Sequence, residues 1–106
     1  MFARVSTYEI DAARMDEAAT VFRAALEQVG NLDGFIEGFF FVAPEEDRAI
    51  STTLWRTRDA LEASRTAASR LRSEAAGSVE GTILSSVEYD VSAHIGAAAQ
   101  LLTERP

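Results

Sequence analysis

Trp55 is the single tryptophan of the 106-residue chain. It closes a run, Arg48 to Arg56, whose side chains could hold an aromatic ligand. Residues two apart on an extended strand share a face, which puts Ser51, Thr53 and Trp55 in one row. An indole offers a flat wall and one N–H donor, while each hydroxyl both donates and accepts. Such a row could offer hydroxyls to a ligand. It also has a plainer explanation, with Trp55 a core or interface aromatic and Thr53 an ordinary strand former. Thr7 is a further candidate hydrogen bonder, expected to face the helices together with Ala3 and Val5. Arg70 and Arg72 could bind an anionic group, or pair with Glu74 and nearby acids. The one histidine, His94, lies past the last predicted strand, where a general base would still need a partner within hydrogen-bond reach.

Other chemistries lack their residues. There is no Cys, hence no disulfide, thiolate metal site or cysteine nucleophile. A single His with no Cys does not make a transition-metal cluster. No Ser-His-acid set stands out, and no Gly-rich loop precedes a helix to cradle phosphate. The formal charge is −7, with 10 arginines, 17 acids and no lysine. The arginines are scattered from Arg4 to Arg105, so the basic face that nucleic acid requires is missing. The opening MFARVSTYEI is too short and polar for a signal peptide, and no apolar run approaches the ~20 residues of a membrane span. A soluble, cytoplasmic protein with no cofactor or metal is expected, and no residue is singled out as catalytic.

These candidates must be positioned by the elements around them. A chain of this length fits one domain, burying roughly 65% of its unfolded surface. Phe2–Ile10 reads as a strand covered on both faces. Asp11 then caps a helix whose buried stripe is Met15, Ala18 or Ala19, Phe22, Leu26 and Val29. Gly30-Asn31 ends it through a residue tolerating positive φ, and Asp33-Gly34 turns the chain. Phe35–Ala43, FIEGFFFVA, reads as a doubly buried strand with Gly38 at a bulge or close contact. Pro44–Asp47 is a hairpin loop into the Trp55 strand. A helix follows, with Asp59 and Glu62 as a capping box and Leu61, Ser64, Ala68, Leu71 and Ala75 as its narrow stripe. Thr82–Ser92 alternates as a fourth strand, more exposed on the side of Leu84, Ser86, Glu88 and Asp90. The order is β-α-β-β-α-β, which short right-handed connections resolve into an α+β, ferredoxin-like arrangement: a four-stranded antiparallel sheet with both helices on one face. The uncovered face is apolar and calls for a partner, most simply a second copy. Residues 93–106 form a tail beyond the 1–92 domain, in which Ala97–Leu102 is either a short docked helix or frayed.

The segment T-L-W-R-T-R-D-A-L-E-A-S, with Trp55 followed by Asp59, Ala60 and Leu61, resembles the antibiotic biosynthesis monooxygenase (ABM) domains of the dimeric α+β barrel superfamily. The Asp33-Gly34-Phe35 turn and the closing V-E-Y-D-V at Val87–Val91 match as well, so the resemblance covers residues 1 to about 92. It implies a homodimer joined through the helix-free sheet face, closing a barrel with a pocket in each subunit between sheet and helices. It also implies one of two activities: cofactor-independent oxygenation of a small phenolic or polycyclic metabolite, or haem degradation. The haem-degrading type has an Asn near the end of strand one, where this chain has Ser6-Thr7, and a Trp and a His in the second helix, where it has neither. The oxygenase type relies on pocket Trp, Asn, Tyr and Arg. Here Trp55 is present, while Ser51 stands where an Asn would have supported that reading. On this resemblance Trp55, Ser51, Thr53, Thr7 and Arg72 are the expected substrate-binding residues. The alternative is a non-catalytic, small-ligand-binding or stress-associated homodimeric module.

Overall fold

The computed structural model describes residues 1–96, so the expectation for Ala97–Leu102 lies outside the described residues. Strands β1 (Phe2–Glu9), β2 (Phe35–Ala43), β3 (Arg48–Trp55) and β4 (Thr82–Asp90) form one sheet in the order β2-β3-β1-β4. Every neighbouring pair is antiparallel. Helices α1 (Met15–Val29), α2 (Arg58–Ala63) and α3 (Arg65–Ser78) pack on one face. This is the ferredoxin-like arrangement.

Local chemistry explains most boundaries. Asp11 caps a 3-10 turn, Ala12–Arg14, by accepting from the Ala13 N–H at 2.9 Å, and α1 proper begins only at Met15. The expected stripe is there, with Met15, Ala18, Phe22 and Val29 buried. Gly30 is not in the left-handed region (φ −62°); the reversal comes instead at Gly34 (φ +82°), where a Cβ would overlap that of Ala60. The β2–β3 loop is a 3-10 turn, Pro44–Glu46, closed by Asp47 at φ 53°.

The helix after Trp55 differs from the expectation in two ways. Its cap is Thr57, whose hydroxyl accepts from the Ala60 N–H at 3.1 Å, with Asp59 in the first turn. It is also two helices, broken at Ser64. The Leu61 carbonyl there accepts from the Ser64 hydroxyl at 2.7 Å and from the Arg4 guanidinium at 3.0 Å. Side chains that engage a helical carbonyl compete with its N–H partner and bend the helix.

Two apolar clusters hold the helices to the sheet. One joins Tyr8, Ile10, Met15, Ala18, Phe22, Ala49 and the end of α3. The other joins Val29, Trp55, Leu61 and Leu71. Phe22 and Phe40 stack at 4.4 Å, and Tyr8 meets Phe22 edge-on at 4.7 Å. Tyr8 is therefore a core residue.

The two faces of β1 and β4 are the reverse of the expectation. Arg4, Ser6 and Tyr8 face the helices, whereas Thr7 lies on the opposite side with Val5. In β4 the acidic set also turns inward: Glu88 is the least exposed residue of its strand, held by Arg4 and Arg65. The helix-free face instead carries Val5, Phe39, Phe41, Ile50, Val87 and Tyr89, with Phe41 and Tyr89 each 52% exposed. Beyond β4 the chain does not simply leave the fold. The Val91 N–H bonds the Met1 carbonyl at 3.0 Å, and His94 reaches Glu37 on β2 at 3.7 Å. Ala3 and Leu54, on the helix-free side at that end of the sheet, are buried.

Candidate functional site

A cleft opens between the two apolar clusters. Its floor is sheet: Arg4, Ser6 and Tyr8 from β1, with Ser51 and Thr53 from β3. Its walls are helix: Phe22, Ala25, Leu26 and Val29 from α1, and Ala68, Leu71 and Arg72 from α3. The cleft is narrow: its free volume is about 30 Å3, and the figure rises to about 380 Å3 only when the open solvent at its mouth is counted. Apart from Arg72 the walls are apolar, and the floor bears hydroxyls beside Arg4, apolar surface with a few polar groups as small-molecule sites have.

Each floor residue is held by a defined bond. The Tyr8 and Ser51 hydroxyls are 2.7 Å apart, and the Ser6 and Ser86 hydroxyls 2.9 Å. Burial raises the Tyr8 phenol above its ordinary pKa, against the opposing effects of Ser51, Arg72 and Ser6. At neutral pH it is therefore a neutral donor. The Trp55 indole N–H donates to the Thr53 hydroxyl at 2.9 Å. Arg4 is buried, with three bonds: to the Ser64 hydroxyl at 3.1 Å, the Leu61 carbonyl at 3.0 Å and the Glu88 carboxylate at 2.8 Å. The hydrogen bonds of Arg65, followed by those of Arg4, hold the Glu88 carboxyl at a pKa of about 2.

Of the residues singled out from the sequence, Ser51, Thr53 and Arg72 line the cleft. Trp55 does not. It is fully buried at the end of the floor, on the same sheet face as Thr53, edge-on to Phe35 at 5.6 Å, and it backs the cleft through its bond to Thr53 and its packing with Val29 and Leu71. Thr7 is on the far face, and its expected position beside the helices is corrected: strand alternation gives that place to Ser6 and Tyr8. Arg70 pairs with Glu74 at 3.4 Å along α3, whereas Arg72, two residues on, turns into the cleft. His94 sits with Glu37 on the other side of the sheet. Arg4, Ser6 and Tyr8 are the floor residues that the sequence reading passed over. The signal for them was present: β1 carries a polar set at alternate positions, and so does β4.

No imidazole or thiol lines the cleft. A haem iron there would find only the Tyr8 phenol as a ligand, already bonded to Ser51. These residues do not fit a haem, and among the described residues no group of three or more His, Cys, Asp or Glu could hold a metal ion.

Fold and cleft together define a class: an α+β, ferredoxin-like protein with a narrow, hydroxyl-floored cleft between its sheet and its helices. The family model described as antibiotic biosynthesis monooxygenase matches residues 1–76, and the chain belongs to that family. Solved structures agree on the fold. A variant of MhuD with two manganese protoporphyrin IX bound per active site is 22% identical, with a TM-score of 0.70 over 92% of this chain and 100% of that one. SnoaB, a cofactor-independent oxygenase from Streptomyces nogalater, is 13% identical, with a TM-score of 0.69 over 91% and 97%. A third structure, described as an antibiotic biosynthesis monooxygenase, is 18% identical, with a TM-score of 0.62 over 88% and 100%. At these identities the likeness is one of fold. No curated protein sequence matches the chain.

Proposed function

We propose that the cleft binds a small, flat, largely apolar molecule with oxygen substituents, and that the protein is a cofactor-independent oxygenase of a phenolic or polycyclic metabolite. The observation that carries this reading is the convergence of the Ser51, Thr53 and Tyr8 hydroxyls between largely apolar helix walls. The hydroxyls would orient the ligand's oxygens, and the walls of α1 and α3 would exclude water from the ring system. Donors fixed in advance stabilise negative charge that develops on a bound oxygen. Family membership supports the same reading, since SnoaB is described as such an oxygenase. The working unit of the proposal is a homodimer in the cytoplasm, the second copy covering Phe39, Phe41, Ile50, Val87 and Tyr89.

One observation favours a second reading, a ligand-binding module without catalysis. The cleft's lining residues include no carboxylate and no imidazole, so no ordinary base faces the ligand. Oxygen uptake separates the two. Hydroxylated polycyclic aromatics should quench or shift the emission of Trp55, coupled to the cleft through Thr53. With the oxygenase, they should also drive oxygen consumption that survives a chelator. Binding without oxygen uptake would decide for the module, and no binding by any such compound would remove both readings.

A further inference from the structure

Arg72 has no counter-ion. Among the described residues no hydrogen bond or ion pair engages its guanidinium, and its Nε is buried without a partner. Arg70 on the same helix is paired with Glu74, and Arg65 with Glu88. A buried cationic donor left unmatched is costly, and burial lowers the Arg72 pKa from its ordinary value, with Arg4 acting in the same direction. The nearby acid cannot answer it, because Glu88 is already held by both Arg4 and Arg65.

The hydroxyls of the cleft point to the same deficit. Thr53 accepts the indole N–H, so its own proton is left to donate elsewhere. Tyr8 and Ser51 share one bond between two hydroxyls, which leaves one donor of that pair unspent. The floor and wall therefore carry surplus donors, one uncompensated positive charge and no carboxylate. We infer that the cleft takes a monoanion, and that the anionic group is a carboxylate on an otherwise apolar, aromatic-sized molecule, received by Arg72 with the Thr53 and Ser51 or Tyr8 hydroxyls beside it. A guanidinium presents Nε and one terminal nitrogen as a parallel pair of N–H bonds, the geometry a carboxylate accepts. One unmatched charge in an apolar cleft fits a monoanion better than a phosphate.

This inference rests on the reading of the cleft as the ligand site, and the experiment separates the two. The purified full chain is titrated calorimetrically at pH 7.5 with 2-naphthoate, and with naphthalene-2-carboxamide, its neutral counterpart of the same shape. The carboxylate should bind roughly tenfold tighter or more, as charge-assisted bonds do. Arg72→Gln should reduce that preference to within about twofold, and Arg72→Lys should restore part of it. Arg72→Met, with melting followed by circular dichroism, guards against a loss that is only misfolding. Equal binding of acid and amide, or a preference that survives Arg72→Gln, would overturn the carboxylate and leave the cleft standing. Failure of both compounds to bind the wild-type protein would overturn the cleft and the carboxylate together.

Discussion

Replacing Trp55 by Phe distinguishes a wall of the binding site from a packed residue behind it. The indole is fully buried, surrounded by Val29, Leu61, Leu71 and Phe35. The smaller ring leaves a void on the order of 40 Å3, which at ~24 cal/mol per Å3 costs about 1 kcal/mol. The bond to Thr53 is lost as well, and that buried hydroxyl loses a donor, about 1 kcal/mol more. The Arg4 guanidinium, 5.9 Å above the indole, faces a weaker π surface, worth about 0.5 kcal/mol. The total is about 2.5 kcal/mol, or a melting temperature lower by roughly 10 °C for a domain of this size. Urea unfolding at fixed protein concentration, followed by circular dichroism, measures it. Affinity for cleft ligands should fall only modestly, since the indole lies behind Thr53, Val29 and Leu71 and does not itself line the cleft. Thr53→Val, which removes the same bond without a void of that size, should reproduce about half of the loss. A Trp55→Phe protein as stable as the wild type but unable to bind ligand would refute this reasoning and return Trp55 to the wall of the site.

Three further outcomes are expected. The Glu88 carboxyl is held at about 2 in the folded chain, chiefly by Arg65 and then by Arg4, below the ordinary value of 4.5. Its stabilisation is therefore complete above pH 4.5 and lost as the pH falls towards 2; acid titrations of unfolding should show Glu88→Gln lacking that pH-dependent component. Gly34→Ala should destabilise the protein by about 2 kcal/mol or more, because the position needs positive φ and has no room beside Ala60; unaltered urea unfolding would contradict it. Phe41→Glu, on the exposed apolar sheet face, should convert a dimer into a folded monomer by light scattering, and a wild-type monomer at micromolar concentration would refute the proposed pairing.

The element order could be read from the sequence because period-2 and period-3.6 patterns alternate cleanly, and the stripe Met15, Ala18, Phe22, Val29 lies where its spacing puts it. Which face of the sheet meets the helices could not be read so directly. The usual rule sends apolar residues inward, which assigned Ala3, Val5 and Thr7 to the helices. In this fold the inner floor of the sheet is polar across three adjacent strands: Glu88 and Ser86, then Arg4 and Ser6, then Thr53 and Ser51. A single strand does not reveal that. The pairing register does, because it lays the three polar sets side by side. Trp55 ends its strand as the sequence suggests, but spacing does not distinguish a side chain lining a cleft from one packed behind its lining. The break at Ser64 was hidden for a similar reason, since it depends on Arg4, 60 residues away.

That long reach has a kinetic side. Arg4 stands near the start of the chain on a central strand, flanked by β3 and β4. Its hydrogen bonds go to residues 57, 60 and 84 positions further on. During synthesis β1 is the earliest of the four strands to appear, yet its guanidinium has no carboxylate until Glu88 follows. Closing the helix layer over Arg4 before then would bury a bare charge, so the N-terminal half has reason to stay open. The full set of partners for Arg4 is thereby complete only with the arrival of β4, and β1 is finished by the strand that lies last in the sheet order.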